Sequence, residues 1–133
     1  MQQEKVHELR LVVTTNDYEN ALHFYRDVLG LNELAAFVSE NGHVTILEAG
    51  KATLELADSN HAEFIDQVEV GQRVAGHIRV AFKVDDSAAV TQTLQAAGAR
   101  VLAEARRTPW NSLNARLEGP ADLQLTLFTE LVS

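Results

Sequence analysis

Two arginines, a glutamate and a threonine stand at matching places along this chain, and their types suit a small charged molecule. Arg10 and Arg79 each sit inside a β-branched, apolar run, while Glu55 and Thr126 sit inside the later runs "ATLEL" and "LQLTL". A guanidinium is a planar fork of donors that matches a carboxylate or a phosphate. Glu55 would orient an arginine or act as a general base, and Thr126 would donate a hydroxyl hydrogen bond. Trp110, the only tryptophan, follows "RRTP" and offers either a stacking face or an anchor for its loop.

The elements that position these residues occur twice. Residues 9–15 read as a strand, and Asn16 or Asp17 caps a helix that runs through Tyr18, Ala21, Leu22, Tyr25, Val28 and Leu29 to a stop at Gly30, with Glu19 completing a capping box from Asn16. Residues 33–39 and 43–49 follow as strands around Asn41-Gly42, a strong hairpin signal, and residues 52–57 form another. An offset of 69 then pairs Arg10 with Arg79, Asp17 with Asp86, Ala21 with Val90 and Tyr25 with Leu94. Strands are expected at 101–106, 113–117 and 123–128, and "LQLTL" matches "ATLEL", so Thr126 corresponds to Glu55.

Between the halves, residues 58–71 read as a short connecting helix with a capping box from Asn60 to Glu63. The predicted fold is α+β: two tandem βαβββ modules, about 8–57 and 76–130, joined by a helical linker over 58–75 in a single domain of residues 1–133. Alternation along the strands gives each an apolar face for a helix and a mixed face carrying Arg10, Glu55, Arg79 and Thr126. Two such mixed faces, curved by sheet twist, make a cup. A solvated sheet face, or an ion cluster without a ligand, would use the same residues.

Composition narrows the classes. A chain of 133 residues that is 46% hydrophobic can bury a core. It has no cysteine, which excludes disulfides and thiolate chemistry. Eleven basic against nineteen acidic residues give a net charge of −8, which disfavours nucleic acid as a partner. No apolar run reaches membrane-span length and the N-terminus lacks a signal-type segment, so no membrane partner and a cytoplasmic location are expected.

The stretches "LVVTTNDYENALHFYRDVLGL", "ATLELA", "RVAFKVDD" and "GPADLQLTLF" together resemble the vicinal oxygen chelate superfamily, over roughly residues 8–130. That superfamily holds glyoxalase I, extradiol dioxygenases, and the fosfomycin- and bleomycin-resistance proteins. The resemblance implies a glyoxalase/bleomycin-resistance-like fold, a homodimer, and, in metal-using members, His, Glu or Gln ligands at four equivalent strand positions. Those positions read Arg10, Glu55, Arg79 and Thr126 here, and only Glu55 could ligate a cation. His7 and His77 are out of register, and His23, His43 and His61 read as surface residues. Neither a metal nor any other cofactor is therefore expected. A small-molecule ligand is expected, an anion held by Arg10 and Arg79, with metal-independent lyase or isomerase chemistry as the reachable reaction if there is one. The alternative is non-catalytic sequestration of a cationic antibiotic, as in bleomycin resistance, with Trp110 as the stacking face.

Overall fold

The structure is a computed structural model that describes residues 11, 13, 15–39, 42–52 and 59–132. Arg10, Glu55, His7 and Asn41, with most of the strands expected at 9–15 and 52–57, lie outside the described residues. The first half contributes α1, an α-helical Tyr18–Leu22 that runs on as a π-helix over His23–Val28. Strands β1 (Asn32–Ser39) and β2 (Gly42–Glu48) follow as an antiparallel hairpin that pairs Phe37 with Val44. Helix α2 spans Ser59–Glu69. The second half is β3 (Arg79–Lys83), α3 (Ser87–Ala96), β4 (Arg100–Arg107), β5 (Ser112–Gly119) and β6 (Leu123–Glu130), a complete βαβββ unit.

Its four strands form one mixed sheet in the order β3-β6-β5-β4. β3 is parallel to β6, and the other pairs are antiparallel. A parallel pair needs a crossover, and α3 with β4 and β5 supplies it. Strands β4, β5 and β6 begin and end within two residues of the expected bounds.

The two helices that the repeat equates start alike. Asp17 Oδ1 accepts from the Asn20 N–H at 3.3 Å, and Asp86 Oδ1 accepts from the Ala89 N–H at 3.1 Å. Each therefore satisfies a first-turn donor that the helix itself cannot. The cap of α1 is thus Asp17, the second of the two expected candidates. In α2, Asn60 lies inside the helix and not at its start, and Glu63 accepts from the Gln67 side chain at 3.0 Å, a bond within the helix.

Phe24, Leu94, Ala99, Ala115, Leu117, Leu125 and Leu127 form the buried apolar core, with Val80, Phe82 and Val90 packed against it. One face of the second sheet is thus covered by α3 and by α1 of the first half. Gly119 permits the close approach of α1: a Cβ there would lie 2.7 Å from Tyr25 Oη. The Tyr25 hydroxyl instead passes over the strand end and donates to the Pro120 carbonyl at 3.1 Å. No helix among the described residues is long and apolar enough to cross a membrane.

Candidate functional site

The opposite face of the same sheet carries the polar residues. Register places Arg116 beside Thr126 across β5 and β6, and Arg79 beside Gln124 across β3 and β6. Two-residue alternation adds Asn114 to this face. It is not an open trough. Helix α2 lies across it, and two acids one turn apart on the helix, Asp66 and Glu69, reach the sheet.

Arg116 is the centre of the arrangement and is fully buried. Its Nη1 donates to Asp66 Oδ1 and to Gln124 Oε1, both at 2.7 Å. Its Nη2 and Nε donate to Glu69 Oε1 at 2.8 and 3.1 Å. The Thr126 hydroxyl donates to Glu69 Oε1 at 3.0 Å and accepts from Arg79 Nη1 at 2.8 Å and Arg116 Nε at 3.2 Å, which uses all of its hydrogen-bonding capacity. Glu69 Oε2 accepts from Asn114 Nδ2 at 2.7 Å. Asp66 Oδ2 accepts from Arg73 Nη1 and from the Val74 and Ala75 N–H groups, each at 2.8 Å. Among the described residues no buried side-chain nitrogen or oxygen lacks a partner.

Two opposing effects act on the Asp66 carboxyl. Burial pushes its pKa up, but the hydrogen bonds from the Ala75 N–H, Arg116, Arg73 and the Val74 N–H outweigh that and hold it well below the usual carboxylate range. Asp66 is therefore held as the anion, the form its four donors require. A buried arginine with two carboxylates and no missing partner is a configuration that tolerates burial, whereas the same arginine alone would not.

Of the residues that the sequence singles out, Arg79 and Thr126 meet on this face. Trp110 does not join them. It lies in the turn between β4 and β5, 44% exposed, with its ring 6.2 Å from Phe64 on α2. His61, also on α2, lies 6.2 Å from Phe64 in turn. His23 is exposed and pairs with Asp27 at 3.2 Å, His43 lies against Tyr18, and His77 precedes β3. Arg116, Asn114, Asp66 and Glu69 are absent from the residues that spacing singles out. Two signals pointed to them: alternation through 113–117, and the acids three apart in "FIDQVE".

Beside this cluster a hollow of about 570 Å³ opens along the sheet end, lined among others by Leu11, Val13, Val74, His77, Ile78 and Gln124. Val74 and Gln124 belong to both, since Gln124 Nε2 donates to the Val74 carbonyl at 3.0 Å.

Residues 8–126 match the model of the glyoxalase/bleomycin resistance protein/dioxygenase superfamily. The chain belongs to that superfamily. Solved structures agree on the fold. A glyoxalase-related enzyme from Fulvimarina pelagi aligns at 16% identity and a TM-score of 0.57, over 93% of this chain and 88% of its own. A superfamily enzyme from Burkholderia phytofirmans PsJN aligns at 17% and 0.58, over 90% and 94%. A superfamily member from Sphaerobacter thermophilus DSM 20745 aligns at 20% and 0.59, over 90% and 92%. No protein of curated function matches in sequence.

Where metal-using members of the superfamily place ligands, the two described positions here hold Arg79 and Thr126. They do not fit a divalent ion. A guanidinium has no lone pair to give, Arg79 and Arg116 both bond the Thr126 oxygen, and the carboxylates nearest to it among the described residues already neutralise Arg116.

Proposed function

We propose that this protein binds a small anionic molecule, a carboxylate or a phosphate, on the polar face of the superfamily fold, with Arg10, Arg79 and the Thr126 hydroxyl, exchanged from Glu69, among the contacts. The observation that carries this reading is the buried Arg116. On the same face, beside Arg79, it already holds two carboxylates in charge-assisted hydrogen bonds of 2.7 and 2.8 Å. The face is therefore chemically suited to carboxylate recognition, and a shielded guanidinium binds an anion more strongly than an exposed one.

The test is a thermal-shift panel with small carboxylates and phosphates. A ligand at about 100 times its dissociation constant stabilises by about 2.7 kcal/mol, several degrees for a domain of this size. Arg79→Ala and Arg10→Ala should each abolish the shift. If neither does, the reading fails. Metal-independent lyase or isomerase turnover would use Glu55 as its base, so Glu55→Gln should keep the shift and abolish any turnover.

A second reading has its own observation. Phe64 and Trp110 present two neighbouring exposed rings outside the cluster, a surface that suits a flat cationic drug on an acidic protein. Stabilisation by bleomycin and not by anions would favour it. The exposed Leu34, Phe37, Val38 and Val44 of the β1–β2 hairpin support a homodimer, which light scattering would detect.

A further inference from the structure

We infer that α2 is a releasable latch and that the face beneath it is a site for a small dicarboxylate. This rests on the anion-binding reading and extends it by naming the ligand class and the element that competes with it. The way α2 is attached is the first support. Among the described residues, none of the α2 side chains belongs to the apolar core or to those packed against it. Ile65 and Val68 are only partly buried and Phe64 is half-exposed, while Asp66 and Glu69 are almost completely buried. The helix is held by charge-assisted bonds that another pair of carboxylates can replace one for one.

The segment after the helix is the second support. Gly71, with φ +92°, is a backbone position other residues rarely adopt and a natural pivot. Three residues further on, Val74 is tied to the sheet by Gln124 independently of α2. When α2 turns outward about Gly71, the Gln124 bond holds Val74 at the sheet with Ala75 beside it, and Arg73, one residue before Val74, exchanges its α2 partners Asp66 and Glu63 for the ligand.

The donors left behind form two groups. One consists of Arg116 Nη1, Arg73 and the Val74 and Ala75 N–H groups, which now surround Asp66. The other consists of Arg116 Nε and Nη2, the Thr126 hydroxyl and the Asn114 amide, which now surround Glu69. A molecule with two carboxylates spanning the two edges of Arg116 satisfies both groups. A monocarboxylate leaves one group buried and unpaired, which is the basis for discrimination. The neighbouring hollow, which shares Val74, gives the ligand its approach.

The chain carries its own reporter, because its single tryptophan lies 6.2 Å from Phe64 on the latch. The full-length protein is titrated with succinate, glutarate, acetate and inorganic phosphate while Trp110 emission and thermal stability are followed. Succinate or glutarate should change the emission saturably and acetate should not. Asp66→Asn/Glu69→Gln, which keeps the side-chain shapes and weakens the latch, should bind the dicarboxylate about tenfold more tightly, since less of the protein is held in the closed state. Should that variant fold poorly, amide hydrogen exchange over residues 59–71 of the unaltered protein decides: faster exchange with glutarate bound supports the latch, and unchanged exchange overturns it. Stabilisation by anions with Trp110 emission unchanged and no tighter binding by the double variant overturns the latch and leaves the anion-binding reading standing. Failure of every anion to stabilise either protein removes both.

Discussion

Leu125 and Thr126 are neighbours on β6 and equally inaccessible to water, yet their side chains have opposite surroundings. Leu125 lies in the cluster with Leu94, Leu117 and Phe24, whereas Thr126 lies among Arg116, Arg79 and Glu69. One sheet thus buries both of its faces, by different physics. The apolar face depends on area removed from water and is indifferent to direction. The polar face depends on every donor meeting an acceptor, and its stability collapses if a single partner is lost. The apolar face therefore anchors the fold, while the polar face can exchange one carboxylate for another.

The largest test of that contrast removes the centre of the polar face. Arg116→Met strands Asp66 and Glu69 against a buried apolar surface and should cost about 3–5 kcal/mol in urea unfolding. Adding Asp66→Leu and Glu69→Met should recover part of the loss by removing the unpaired charges, while the Val74 and Ala75 N–H groups, Asn114 and Thr126, which then lack their acceptors, keep the rest from returning. If the triple variant is no more stable than the single one, the two faces are not held by separable forces.

On the apolar face, Leu127→Ala leaves a cavity in the core and should cost about 2–4 kcal/mol. No second substitution on the polar face should compensate for it. The two losses should add, since they lie on opposite sides of the sheet and share no partner. A coupling above about 0.5 kcal/mol in the double variant would show that the faces communicate through the backbone of β6.

The apolar face was legible in the sequence because its rule is local. A period of two in "LQLTL" and "RVAFKV" and a spacing of three and four in the helices identify Leu125, Leu127, Val80, Phe82, Val90 and Leu94 without knowledge of what they touch. The cap at Asp86, which the repeat pairs with Asp17, is equally local. The covered polar face was legible only as strand alternation and two acids three apart, not as a buried cluster. Nothing in "NARLEG" states that Arg116 faces a helix about fifty residues earlier, and nothing in "FIDQVE" distinguishes two buried acids from a solvated surface. That information lies in the tertiary placement of α2, which also explains why the face carrying Arg79 and Thr126 read as open. Trp110 was ambiguous for the same reason: its partner, Phe64, stands on the linker helix.

Acid should distinguish the faces more gently. The folded-state pKa of Asp66 lies below its unfolded value of about 3.9, so below about pH 4 the unfolded chain takes up the proton first. Its contribution is complete above that pH and is lost as pH falls toward the folded value. Asp27, held down chiefly by its hydrogen bonds from Arg26 and His23, acts in the same direction but is exposed and screened. Urea unfolding between about pH 5 and 2 should therefore show a steeper fall for the unaltered protein than for Asp66→Asn. Leu127→Ala should run parallel to the unaltered curve, displaced by a constant. A Leu127→Ala curve that converged with the others in acid would mean that the apolar face also depends on these carboxylates.

The smallest effect comes from an ion pair of similar length in the opposite setting. Lys83 Nζ and Glu130 Oε2 are 2.9 Å apart, close to the 2.8 Å of Arg116 and Glu69, but both side chains are more than half exposed. Water already solvates each charge, so pairing them gains little, and ordering two long side chains offsets part of that gain. Lys83→Ala should shift stability by less than about 0.5 kcal/mol, and 0.5 M salt should erase even that difference. The pair also lies at the far end of β3, beyond the donors that would receive a dicarboxylate, so the same variant should leave glutarate binding unchanged. A large loss from Lys83→Ala would show that distance and not burial governs these charges, and would overturn the difference between the two faces from which the latch is inferred.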